Sequence, residues 1–430
     1  MSRGDGLGAA RGRGVTAVAV VLVVTILVTG GLLAADAGPP GALRIRGADI
    51  SFTLQEEAVG RSVRGPAGVA PIEQVLAGYG ANTVRLRLWV HPSPGTSDLP
   101  TALELARRAA TAGLQIVLVL QYSDTWADHA NQPTPTAWAG LDVDALVSTV
   151  QTYTRQVVAA FAEQGTPVAV VQVGNEIDQG LLWPAGALGS GGWDAVARLV
   201  GAGAEGARAG GGQRPPEIMV HRTASGGADA VLGFLGELAA RGVHPDLVGL
   251  SYYPWWHGSL ARLQQTLDTV AERLGLDIVL AETARPWTLA DGDDEPNAVT
   301  DNAQLPDGDA YPATPEGQAA WAEALRHVLL RVPGGHGAGL LFWEPGWLPG
   351  VEAAPGVGSA YDNTTLFTWD GGALPALAAL RPQQAARSAG GQRWPGRGDD
   401  PRALRWQGRL HALRTAWHDL ERWIKQMGVA

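Results

Sequence analysis

The chain has 430 residues, 46% hydrophobic and 17% charged, enough for one large barrel domain or two ordinary ones. A formal net charge of −10 argues against a nucleic-acid partner. Cysteine is absent, which excludes disulfide staples, a thiolate nucleophile and thiolate metal sites.

In chain order, Arg3, Arg11 and Arg13 precede the apolar run "VTAVAVVLVVTILVTGGLLAA" from Val15 to Ala35, and "ADA" at Ala35 to Ala37 fits a small-x-small cleavage site. Residues 1–37 therefore read as a secretory signal peptide or an uncleaved signal anchor. The expected location is secreted, or extracellular and tethered to the membrane through this segment, which is long enough to span a bilayer.

A Gly/Pro hinge at Gly38 to Gly41 leads into alternating strand and helix patterns. Eight apolar runs read as strands: "RIRGADIS", "NTVRLRLWV", "LQIVLVLQY", "VAVVQVGNE", "EIMVH", "DLVGLSYY", "DIVLAET" and "GAGLLFWE". Helical segments such as "TALELARRAATAG" and "LARLQQTLDTVAERLG" separate most of them. Continuous apolar strands suit a parallel sheet covered by helices. Eight such units over residues 43–380 predict a single α/β catalytic domain, a (β/α)8 TIM barrel. A doubly wound open sheet competes with it, but no glycine-rich phosphate loop follows the first strand.

Residues 381–401 ("RPQQAARSAGGQRWPGRGDDP") read as a linker. Residues 402–430 place Trp406, Leu410, Leu413, Trp417, Leu420, Trp423 and Ile424 at spacings of three and four. This predicts an amphipathic C-terminal helix packed on the barrel or a partner, with membrane-surface association as the alternative.

The predicted strand ends carry the polar residues Asp49, Arg85, Arg87, Tyr122, Asn175, Glu176, His221, Tyr252, Tyr253 and Glu282, and Trp343 with Glu344. Active sites of this fold lie at that face. Glu176 ends the fourth strand and Glu282 the seventh, so the two face each other across the barrel mouth. Two carboxyls flanking one bond are the minimal equipment for glycoside hydrolysis, one protonating the leaving group and the other attacking the anomeric carbon. Their environments must hold their pKa values apart. Asn175 beside the acid can donate to a sugar 2-hydroxyl. Arg85 or Arg87 would keep Glu282 ionised. Retention needs the carboxyls roughly 5–5.5 Å apart and inversion roughly 6.5–9.5 Å. The 16 tryptophans, against five phenylalanines, supply flat faces for stacking on sugar rings.

The motifs "YSDTWADHANQPTPTAW", "NEIDQGLLWPAG", "GLSYYPWWHGSLARLQQTL", "ETARPWTL" and "GLLFWEPGWLP", in this order, resemble the endo-β-1,4-galactanases of glycoside hydrolase family 53. The resemblance runs from about Arg46 to Leu380. It implies a retaining (β/α)8 hydrolase of β-1,4-galactan or arabinogalactan, with Glu176 as acid/base and Glu282 as nucleophile. It further implies that Asp49, Arg87, Trp89, Tyr122 and Asp124 line the substrate cleft, with Trp126, Asn175, Tyr252, Trp255, Trp287 and Trp343. Trp343 would form the floor of the central subsite. Bacterial members also bind calcium between the loops after strands seven and eight. Here "DGDDEPN" offers Asp291, Asp293, Glu295 and Asn297, and "GSAYDN" offers Ser359 and Asp362. Alternating oxygen donors suit a hard cation, and this Ca2+ would be structural.

The chain departs from the family pattern at Val119 and Gln121, where an Asp and a His are usual, and at His129, where a proline is usual. The segment "HRTASGG" after strand five also departs. These changes keep two other readings open: a related barrel hydrolase of another β-linked glycan, and a surface glycan-binding protein without catalysis.

Overall fold

The computed structural model describes residues 43–352 and 357–382. The expected N-terminal signal or anchor, nearly all of the linker and the C-terminal helix lie outside the described residues. Among the described residues, no helix is long and apolar enough to cross a membrane.

Eight parallel strands close into a barrel. They are β1 (Ile45–Asp49), β2 (Thr83–Leu88), β3 (Gln115–Leu120), β4 (Val170–Val173), β5 (Glu217–Thr223), β6 (Leu247–Tyr252), β7 (Asp277–Thr283) and β8 (Gly337–Phe342). Each pairs with its chain neighbours, and β8 closes onto β1 with Ala48 opposite Phe342. All eight sequence-predicted strands form, and the open-sheet alternative falls because the sheet has no edge.

Most strand residues are apolar, and their side chains alternate between two cores. Ile45, Val117, Val170, Met219, Leu247, Val279 and Leu341 fill the barrel interior. Leu86, Leu118, Val171, Val220, Leu250, Leu280 and Leu340 point outward into the layer under the helices. Gly339 is required by close approach, since a Cβ there would lie 2.8 Å from the Ile45 Cβ.

Four of the helices between strands start where a short polar side chain satisfies a free N–H group of the first turn. Asp98, Asp142, Ser259 and Thr314 accept from Thr101, Ala145, Arg262 and Gly317 at the starts of Leu99–Thr111, Val143–Glu163, Leu260–Leu274 and Pro315–Arg331. Helices Val143–Glu163 and Gly192–Gly210 pack closely. A Cβ on Gly206 or Gly210 would come within 2.5 Å of a backbone oxygen of the other helix. A small hairpin, Val63–Gly65 with Gly68–Ala70, sits between β1 and β2.

Candidate active site

Simple alternation would send Glu282 into the helix layer, because Val279 and Ala281 already point inward. The pairing of β6 with β7 shifts at this point: Leu250 lies opposite Leu280, but Ser251 lies opposite Glu282. The extra residue resets the phase and turns Glu282 into the barrel mouth. At β4, Gly174 (φ +76°) and then Glu176 itself (φ +47°) take left-handed backbone. A non-glycine residue there is held by its surroundings at a cost of roughly 1–3 kcal/mol.

Arg85 organises the floor. Its guanidinium donates to Glu282 Oε1 at 2.7 Å, Asp49 Oδ2 at 2.7 Å, Asn175 Oδ1 at 2.8 Å and Gln172 Oε1 at 3.2 Å. Tyr253 donates its hydroxyl to Glu282 Oε2 at 3.0 Å, and Ser251 is 3.4 Å from the same oxygen. Burial is the largest influence on Glu282 and pushes its carboxyl up to about 7; the Arg85 cation pulls against this, and the Glu176 charge adds to the rise. Glu176 and Glu282 are therefore close enough to sense each other's charge.

Glu176 has different surroundings. Its Oε2 faces His129 Nδ1 at 3.1 Å and the His129 backbone N–H at 3.3 Å. Burial raises this carboxyl, but the hydrogen bond from His129 outweighs it and the net shift is downward. The fully buried His221 is held neutral, at about 3, by burial and by the Arg85 charge. Its Nδ1 lies 3.0 Å from Asn175 Oδ1 and its Nε2 3.0 Å from the Ser251 hydroxyl. Asn175 donates to the Ala127 carbonyl at 2.9 Å.

Aromatic rings wall the mouth. Trp343 is half-buried, with ring centroids 5.0 Å from Tyr361, 5.6 Å from Trp347, 6.3 Å from Trp126 and 6.4 Å from Tyr253. Arg87 does not reach the Glu282 site. It pairs with Glu344 at 3.1 Å and lies under Trp126, 4.2 Å from the ring centroid. Trp89 donates its indole N–H to Gln121 at 2.6 Å, so Gln121 orients an aromatic of the wall. Val119 is fully buried and brings no polar group.

Two expected cleft residues are corrected. Tyr122 is buried in the outer core, its hydroxyl 2.8 Å from Thr154 on helix Val143–Glu163. Tyr252 likewise points outward, stacks on Trp321 of helix Pro315–Arg331 and donates to the Gly258 carbonyl at 2.7 Å. Strand periodicity puts their neighbours Gln121 and Tyr253 on the inner side instead. Asp124 ties loops together, accepting from the His91 and Thr136 backbone N–H groups. Trp287 is anchored to Thr365 at 3.1 Å, edge-on to Trp369. Trp255 packs with Leu289, Val299 and Leu305, while its neighbour Trp256 is 55% exposed. Ser251, Gln172 and Tyr361 are functional neighbours absent from the sequence-based expectations, and His221 and Tyr253 stood there only as strand-end residues without a role. Their inward parity on β4, β5 and β6, continued one residue past β6 to Tyr253, was the available signal for all but Tyr361.

On the loops after β7 and β8, carboxylate oxygens of Asp291, Asp293 and Asp362 lie within 4.8 Å of one another. Asp293 accepts from the Ser359 N–H at 2.9 Å, and Asp362 from the Gly292 N–H at 2.9 Å and the Asn297 amide at 3.1 Å. Burial pushes Asp362 up to about 6, with the charges of Asp293 and Asp291 adding to it. Asn297 Oδ1 is buried without a partner. Gathered carboxylates beside an orphaned carbonyl oxygen fit a hard cation. Glu295 is not among the gathered carboxylates, and the Ser359 hydroxyl is taken up by the Tyr361 N–H at 3.2 Å.

A closed (β/α)8 barrel bearing two buried carboxyls at the tips of β4 and β7, beneath an aromatic wall, is the arrangement of a glycoside hydrolase. Residues 45–380 match the sequence profile of Glycosyl hydrolase family 53, and the chain belongs to that family. It is 36% identical over 314 residues to the arabinogalactan endo-β-1,4-galactanase A of Aspergillus niger, covering 71% of this chain and 86% of that protein. The structure is similar to the GH53 catalytic domain of Ignisphaera aggregans (TM-score 0.74, 30% identity, 80% of this chain and 97% of that one). It is also similar to one of two fungal β-1,4-galactanases (TM-score 0.70, 33% identity, 79% and 99% covered).

Proposed function

We propose that this chain is a retaining endo-β-1,4-galactanase that cuts β-1,4-galactosidic linkages in galactan or arabinogalactan. Family membership and relatives bearing that activity support the substrate. The observation that carries the chemistry is the contrast between the two carboxyls, one held by Arg85 and Tyr253 and the other by His129.

In this reading Glu282 attacks the anomeric carbon while Glu176 protonates the departing glycosidic oxygen. Water, deprotonated by Glu176, then releases the galactosyl-enzyme ester with net retention. Arg85 orients Glu282 and favours its ionised form, and Asn175 stands where a sugar 2-hydroxyl would pass. Trp343 supplies an apolar face for the galactose ring.

Export through residues 1–37, and a membrane tether should that segment stay uncleaved, belong to the same proposal, supported by the Arg-flanked apolar run. So does a structural Ca2+ held by Asp291, Asp293, Asn297 and Asp362, which would pin the two loops together and take no part in the reaction.

Reducing-sugar release from potato galactan, compared with other β-linked glycans, tests the function. Cleavage of galactan with β-configured first products is expected. Preference for another glycan would overturn the substrate, and Val119 is the observation that would favour that second reading.

A further inference from the structure

His129 is the residue in this mouth whose position has a chemical consequence beyond the two carboxyls. The imidazole is 56% exposed, yet its Nδ1 and its own backbone N–H both aim at one oxygen, Oε2 of Glu176. A proline at this position would offer neither donor. The other charged and titratable groups facing it are Asp128 on its own loop, Asp178 on the loop after β4, and His257 after β6. Asp178 is already paired to Arg222 at 2.7 Å, so Glu176 is the carboxylate His129 serves.

Glycosyl transfer needs a proton on Glu176 and none on Glu282. Burial raises the Glu282 carboxyl, whereas at Glu176 the hydrogen bond from His129 outweighs burial and holds the carboxyl down, in its ionised form. A half-exposed imidazole 3.1 Å from Oε2 is placed to hold the leaving-group proton while Glu176 is ionised. The hydrogen bond to Glu176 raises the His129 imidazole above its usual 6.5, against the opposing effect of burial.

We propose that His129 is a positioning residue that orients the Glu176 carboxyl and stores, as an imidazolium, the proton that Glu176 delivers to the leaving group. This rests on the acid/base role proposed for Glu176. The proton moves from Nδ1 to Oε2 and on to the glycosidic oxygen as the C–O bond breaks and its electron pair leaves with that oxygen. A carboxylate oxygen of Glu282 forms the new bond to the anomeric carbon. Glu176 is left ionised and His129 neutral. The attacking water returns the proton by the same route, so the cycle balances.

Two measurements test this, and the first needs no turnover. The His129 imidazole, assigned in NMR spectra against His129→Gln, should titrate above 6.5 in the wild type and fall back toward it in Glu176→Gln. An unmoved titration would overturn the proposal and leave the galactanase reading standing. The second measurement is kcat/KM against pH on galactan and on an activated aryl β-galactoside. The wild-type alkaline limb on galactan should coincide with the His129 titration. His129→Gln should lose about tenfold on galactan, a part of the ~10²–10⁴ that proton transfer supplies, and far less on the aryl substrate. Equal losses on both, or a limb apart from the imidazole titration, would reduce His129 to a packing role. A chain inert on both substrates would count against the proposed function, with the NMR result still deciding the coupling.

Discussion

Arg85 Nη2 lies 2.7 Å from Glu282 Oε1, and the same guanidinium bonds Asp49 at 2.7 Å. All three side chains are nearly fully buried, so the cation is shared between two carboxylates that would otherwise repel. Arg85→Lys keeps the charge but cannot span all its acceptors. Its kcat on galactan should fall about 10²-fold, near the loss of one preorganised electrostatic contact. A near-wild-type kcat would show that charge alone suffices.

Glu282→Ala should abolish turnover, and azide should restore it with an α-galactosyl azide as product. Glu176→Ala should slow galactan cleavage by about 10²–10⁴-fold while leaving an activated aryl galactoside far less affected at the glycosylation step. Equal losses on both substrates would contradict the acid role, and failure of azide rescue would count against the nucleophile.

The nucleophile sets the acid limb of activity. Glu282 must be ionised to attack, and its carboxyl sits up at about 7 through burial, opposed by Arg85. Activity on galactan should therefore be lost as pH falls through about 7. Because the two carboxyls interact, the limb belongs to the pair. Arg85→Lys, with a looser cation, should move it upward in a kcat/KM profile.

Calcium is tested by heat. Chelation should lower Tm, and added Ca2+ should restore it, since a cation at 100 times its Kd contributes about 2.7 kcal/mol. Asp362→Asn should remove the response. A melting curve insensitive to both would eliminate the site.

Glu56 gives a stability prediction independent of activity. Burial lifts its carboxyl from 4.5 to about 9, although the Leu348 N–H donates to it at 3.1 Å. The folded state thus binds a proton that the unfolded state releases. Its contribution is fully present below pH 4.5 and is lost as pH rises toward 9, on the order of 3 kcal/mol by pH 7. Glu56→Gln should flatten the dependence of Tm on pH between 5 and 9. A slope equal to wild type would show that another group carries it.

The eight strands, the barrel and the two acids at β4 and β7 were legible because they follow from local pattern: apolar runs of strand length, helical spacing between them, and polar residues at the tips. Strand parity could also have separated Tyr253 from Tyr252 and Gln121 from Tyr122. Both the strand-end reading and the resemblance placed Tyr122 and Tyr252 at the cleft, yet both turn outward into the helix layer.

What the chain order alone determined is which residues stand at the mouth. Which of them meet was decided by the closed barrel, because register is a relation between strands. The shift opposite Ser251 puts Ala281 and Glu282 on the same side and overrides the period of two. Closure across the axis gives Arg85, and not Arg87, to Glu282. The loop after β3 folds back over β4 to bring His129 to Glu176, 47 residues along the chain, a contact that no spacing rule encodes.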